Sequence, residues 1–132
     1  MIRTRDLLGL DTEVIGVVSS AADGYAQSFA AGRIICTDSA DTIADGMACR
    51  MPQPEALEII RAGATRIVRV DDDEIRQAMR IFHEDTHNLA EGAGAAALAA
   101  LIQEREINRG ERAAVVLSGA NVDRAALAAI LA

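Results

Sequence analysis

The sequence contains no lysine: its 13 basic residues, from Arg3 to Arg124, are all arginine. A coding bias toward arginine and alanine accounts for that at surface positions. It cannot supply an amine where chemistry requires one, because a guanidinium stays protonated and forms no imine. Tryptophan is also absent, and Tyr25, Phe29 and Phe82 are the only aromatics. A core must therefore be assembled from Ala, Val, Ile and Leu, which suit close helix-on-sheet packing. No stretch approaches the ~20 apolar residues of a membrane helix, and the first residues lack the apolar run of a secretion signal. Cys36 and Cys49 are the only cysteines and lack metal-type spacing, so two reduced thiols in a cytoplasmic protein are expected. A formal net charge of −7 argues against nucleic acid, whose phosphates reward clustered basic side chains, and against an anionic membrane surface.

What is present alternates in period. Half of the 132 residues are apolar, enough for one domain or part of one. Val14–Val18 is a short β-branched run that predicts a buried strand, and Ala21–Ala31 a helix ended by Gly32. Residues 33–54 read as irregular. Pro54 opens a predicted helix that runs through Arg61 and stops at Gly63, followed by a strand over Thr65–Val70. Asp71 then precedes Glu74 by three residues, a capping-box spacing, and Ile75, Ala78, Met79 and Phe82 recur at helical intervals. An Ala/Leu helix is predicted from the Glu91-Gly92-Ala93-Gly94 turn to about Glu106. Ala113–Leu117 reads as a central parallel strand, and Asp123–Leu131 as a final helix. Strands alternating with helices predict an α/β fold with a mostly parallel sheet, in which ligands sit at the carboxyl ends of strands.

Three stretches draw attention, and each has an ordinary reading beside a functional one. Ser118-Gly119-Ala120-Asn121 follows a strand, so its hydroxyl can bond a ligand, or it can simply cap the next helix. Glu91-Gly92-Ala93-Gly94-Ala95 either permits close approach to a ligand or serves small-residue helix packing. Thr42-Ile43-Ala44-Asp45-Gly46 is either part of a site or a solvated turn.

Together these stretches say more than each alone. In order come Ala40-Asp41-Thr42-Ile43-Ala44-Asp45-Gly46, Val70-Asp71-Asp72-Asp73-Glu74-Ile75, Thr86-His87-Asn88-Leu89-Ala90-Glu91-Gly92-Ala93-Gly94 and Val116-Leu117-Ser118-Gly119-Ala120-Asn121-Val122-Asp123. From about Glu13 onward this series closely resembles the later part of the catalytic domain of threonine dehydratases and serine racemases, the fold-type II pyridoxal phosphate (PLP) enzymes. The resemblance implies a layered α/β/α fold with a short, mostly parallel sheet, residues 1–132 forming part of the large domain. It implies a parent reaction of β-elimination of water from L-threonine or L-serine, with deamination to a 2-oxo acid and ammonia. Ser118 matches the serine that bonds the PLP pyridine nitrogen; a neutral hydroxyl there favours elimination over transamination. Gly46 matches a loop glycine close to the cofactor and Glu91 a pocket-lining acid, while Gly119 and Asn121 shape the turn beneath the ring.

The departures matter equally. The family uses a Schiff-base lysine and a glycine-rich phosphate loop, both upstream of the matching region, with Met1 falling roughly where the helix after that loop would run. No catalytic residue is therefore assigned within the chain. PLP binding by this chain alone lacks its covalent anchor, and the isolated chain is expected to be inactive. The expected partners are further copies of the chain or a separate lysine-bearing N-terminal polypeptide; a non-catalytic subunit or small-anion-binding module is the alternative. Relatives with a divalent-metal site use acids where this sequence has Val18 and Gly24, so no such metal is expected. Ala120 replaces a usual glycine in the turn. His83-Glu84-Asp85-Thr86-His87 also matches the H-E-x-x-H zinc peptidase pattern. Thr86 and His87 already belong to the dehydratase-like series, which leaves His83 as a chance surface residue.

Overall fold

The computed structural model describes all 132 residues. A short helix α1 (Ile2–Leu7) precedes strand β1 (Ile15–Ser19), a 3-10 turn (Ser20–Ala22) and helix α2 (Gly24–Ala31). An irregular stretch, broken by a 3-10 turn at Asp45–Met47, leads to helix α3 (Pro54–Gly63) and strand β2 (Arg66–Val70). Helices α4 (Asp72–Thr86), α5 (Gly92–Gln103) and α6 (Arg124–Leu131) follow. Helix α2 ends where Gly32 turns left-handed (φ 70°), and Pro54 takes the first turn of α3, where its missing N–H costs nothing.

β1 and β2 pair in parallel, Ile15 beside Arg66 and Ser19 beside Val70. Alternation sends Val17, Val68 and Val70 into one core with Ile75, Ala78 and Met79 of α4 and Ala95, Ala96, Ala99 and Ala100 of α5. The opposite face carries Gly16, Val18 and Ile67 toward a cavity walled by α3, and Arg69 toward Asp23 at the start of α2. The sheet thus lies between two helix layers, as the α/β/α reading expects.

Alanine makes this possible. α5 presents the methyls of Ala95, Ala96, Ala99 and Ala100 to Ile75, Ala78 and Met79 of α4, and the same helix covers both strands. Arg66 reaches Glu104 at the C-cap of α5 through paired bonds of 3.0 and 2.7 Å, and this tie lowers the Glu104 pKa from the usual carboxylate value. Burial alone would raise the Asp23 carboxyl. Hydrogen bonds from Gln27 (2.7 Å) and Arg69 (2.9 Å) more than offset that and hold it below its ordinary value. The predicted capping box is present: Asp71 accepts from the Glu74 N–H at 2.8 Å, and Glu74 accepts from the Asp71 N–H at 2.8 Å.

One prediction fails. Ala113–Leu117 is not a strand; residues 112–123 carry no regular structure, and Val116 is 53% exposed. Its composition suits a strand, but a strand is defined by its ladder, and neither edge of this segment finds a partner among the 132 residues. Both cysteines are free thiols, Cys36 exposed and Cys49 half-buried. No helix is long and apolar enough to cross a membrane.

Candidate functional site

The site is assembled at the start of α5. Glu91 stands at the N-cap, but its carboxylate does not cap its own helix. It turns instead to the 118–121 turn, where Oε2 accepts from the Asn121 N–H at 3.0 Å, while the Glu91 N–H donates to the Gly119 carbonyl at 3.0 Å. A carboxylate beside the first turn of a helix is also favoured by the helix dipole. These two bonds fasten a turn that has no ladder to hold it.

Glycine makes the fit possible at three points. A Cβ on Gly119 would collide with the Glu91 carboxylate, and one on Gly94 would strike the Gly119 carbonyl. A Cβ on Gly92 would lie 2.7 Å from the Ile43 carbonyl, a backbone atom that cannot swing aside. The 42–46 loop therefore rests directly on α5. Gly46 is part of that contact: a Cβ there would stand 3.0 Å from the Ala93 methyl and 3.9 Å from Glu91 Oε1.

Of the five residues singled out from sequence, Gly46, Glu91, Gly119 and Asn121 thus gather around one helix terminus. Ser118 precedes Gly119 directly. It is exposed, and its hydroxyl makes no hydrogen bond within the chain, although every buried polar side-chain atom is satisfied. Small-residue packing does describe Glu91–Ala95, where Gly92 and Gly94 lie against backbone and Ala95 is buried, but the ordinary alternatives for the other two stretches do not hold. The cap of α6 is Asp123, which accepts from Ala125 N–H at 2.7 Å, and not Ser118. The 42–46 loop is no solvated turn, because Ala44 is fully buried.

Sequence reasoning missed Asp72. Its carboxylate accepts from the Thr42 hydroxyl at 2.6 Å and the Ile43 N–H at 3.1 Å, and so clamps the loop that carries Gly46. Asp72 sits in the acidic first turn of α4, where capping was the apparent purpose of every carboxylate. Asp71 and Glu74 do cap, whereas Asp72 looks outward to a loop 30 residues away, and no local spacing signals it.

His83 and His87 do not share a helix face. α4 ends at Thr86, and His87 follows in the left-handed conformation (φ 55°) with Nδ1 3.3 Å from the His83 carbonyl. The zinc pattern needs both rings on one helix, and no three His, Cys, Asp or Glu side chains are grouped to hold a metal.

Known proteins resemble this chain over most of its length. The family model described as "Pyridoxal-phosphate dependent enzyme" matches residues 2–119. The chain belongs to that family. It is 37% identical over 110 residues to an L-threonine ammonia-lyase of Geobacter sulfurreducens, covering 83% of this chain and 27% of that protein. It is 35% identical over 123 residues to a phenylserine dehydratase of Ralstonia pickettii, covering 92% of this chain and 38% of the relative. Maize serine racemase superimposes with a TM-score of 0.84 at 28% identity, covering 95% of this chain and 39% of that structure. The chain therefore spans between a quarter and two fifths of the length of these three proteins.

Proposed function

We propose that residues 1–132 form part of one catalytic domain and supply the ring-nitrogen side of a PLP site in an amino-acid dehydratase. The reaction is β-elimination of water from L-threonine or L-serine, with deamination to a 2-oxo acid and ammonia. The observation that carries this reading is the uncommitted Ser118 hydroxyl at the head of a turn that glycines and Glu91 hold in place.

The residues fit a flat heteroaromatic ring. A hydroxyl is free to bond a ring nitrogen, and Gly119 and Gly46 let the turn and the loop that flank it close onto the start of α5. When bound, PLP supplies the electron sink that stabilises negative charge at the substrate α-carbon. The protein's part is orientation. Ser118 would hold the ring nitrogen by a neutral hydrogen bond and leave it without a proton, the state that favours elimination. Glu91 keeps Ser118 in register through Gly119 and Asn121, and Asp72 keeps Gly46 in register through Thr42 and Ile43.

The amine that anchors PLP is not among these residues, since none is lysine. A lysine and a phosphate cradle come, in this reading, from a further portion of the catalytic domain, in the cytoplasmic setting that two free thiols suit. The test is a chimera in which this chain replaces the matching portion of the Geobacter L-threonine ammonia-lyase, assayed for 2-oxobutyrate formed from threonine. The chimera is expected to turn over, and Ser118→Ala to lower kcat at least about tenfold. A folded chimera that retains no PLP, or turnover indifferent to Ser118→Ala, would remove the assignment.

A further inference from the structure

We infer that the cavity between α4, α6 and the 42–46 loop binds a small aliphatic carboxylate, and that its occupant steadies the loop that carries Gly46. The binding claim stands on the cavity alone. Only its bearing on turnover rests on the functional reading above.

The cavity follows from how α6 is attached. Near its end α6 is tied to α4, where the Arg80 Nε–H donates to the Ile130 carbonyl and Ile130 is buried. Ahead of that tie the two helices leave a space of about 270 Å³. It is lined by Ile43 and Gly92, whose close approach seats the 42–46 loop on α5. Met79 faces it from α4, and Ala126 and Ile130, one turn apart, face it from α6. Six of the eight lining residues are hydrophobic, so an occupant must be mostly hydrocarbon.

Charge decides the occupant's other end. Arg76 is the only charged residue in the lining. Its guanidinium makes a single hydrogen bond within the chain, from Nη1 to the Asp73 carboxylate at 2.7 Å, and the Asp73 side chain is 92% exposed. An ion pair with so exposed an acid is weak and exchanges partners at little cost. Nε and Nη2 donate to nothing in the chain, and together they form the fork that grips a carboxylate through two parallel bonds. No lining residue is acidic, so nothing there would hold the ammonium group of an amino acid. A bare phosphate would leave the apolar walls unused.

The occupant meets the loop at Ile43. Asp72 already holds the Ile43 N–H at 3.1 Å, from the turn of α4 that precedes Arg76. Ile43 therefore stands between the Asp72 clamp and the cavity, on the same loop as Gly46. A ligand reaching from Arg76 to Ile43 fastens that loop to α4 a second time.

The experiment titrates the isotope-labelled chain with hexanoate and follows its amides by NMR. Saturable shifts are expected at Ile43, Gly92 and Ala126, with the amides of α2 and α3 unmoved. Arg76→Gln, or hexanol in place of hexanoate, is expected to weaken binding at least about tenfold. Ala126→Leu, at an exposed position of α6, fills the space without touching the guanidinium and is expected to abolish binding. At about ten times its Kd, hexanoate should slow hydrogen exchange at Ile43–Gly46 about tenfold. Absence of saturable shifts overturns the site, and so does binding indifferent to Arg76→Gln or to hexanol. Unchanged exchange at Ile43–Gly46 overturns the link to the loop. Titrating the chimera separates this inference from the functional reading. Loss of hexanoate binding there assigns the groove to the rest of the catalytic domain and overturns the site. A chimera that binds hexanoate but forms no 2-oxobutyrate keeps the site and removes the functional reading.

Discussion

The β2–α4 unit and the 112–123 segment begin from the same kind of sequence and end differently. Arg66–Val70 and Ala113–Leu117 are both five-residue apolar-rich runs followed by a turn and a helix. Arg66–Val70 lies on β1, under α5, with Val70 fully buried and the following helix locked by its capping box. Ala113–Leu117 has α5 beside it but no strand, and half of Val116 is open to water. Apolar composition makes a segment able to be a strand; a neighbouring edge makes it one. The contrast also divides the site's labour. The packed unit supplies the scaffold and the Asp72 clamp, and the unladdered segment carries the unbonded Ser118 hydroxyl that we propose bonds the ring nitrogen.

Substitutions sharpen this contrast in graded steps. Ile75→Ala, in the packed unit, removes a fully buried side chain and is expected to cost about 3 kcal/mol in urea unfolding. Glu104→Gln breaks the paired bonds to Arg66 and is expected to cost about 1–2 kcal/mol at neutral pH. Its pH dependence has a definite sign. Glu104 and Asp23 both titrate lower in the folded protein than in the unfolded chain. Their stabilisation is therefore complete above the ordinary carboxylate range, near pH 4, and is lost as pH falls through the lowered folded values. Between neutrality and pH 3 the Glu104→Gln variant should show a shallower loss of stability than the parent.

Asp71→Ala removes one half of the capping box and is expected to cost about 1 kcal/mol, seen in the same unfolding curves. Glu91→Ala should have the smallest global effect, under about 0.5 kcal/mol, because the turn it holds buries little. Its local effect should be large: limited proteolysis within residues 112–123 should accelerate several-fold while cleavage in α4 stays slow. A uniform acceleration across the chain would mean that the turn and the packed unit are one cooperative body, against the contrast drawn here.

Much of this was legible before any coordinates. The capping box was visible because both partners lie within one turn of helix, and Pro54 and Gly32 marked their helix ends for local backbone reasons. The site's membership was legible only from the order of four separated stretches, since no single one of them excludes capping, packing or a plain turn. Two things were out of reach. The Asp72 clamp joins residues 30 apart through one side chain, which no periodicity records. The missing third strand depends on a partner edge, and the apolar run of Ala113–Leu117 reads alike with or without one.

The division of labour is tested most directly by covalent capture. This chain, alone and mixed with the upstream part of the Geobacter ammonia-lyase, is incubated with PLP, reduced with borohydride, and each polypeptide is weighed by mass spectrometry. The account predicts no stoichiometric adduct on this chain in either sample, and one adduct per complex on a lysine of the added polypeptide. A stoichiometric adduct on this lysine-free chain would contradict the claim that it holds the ring and borrows the amine.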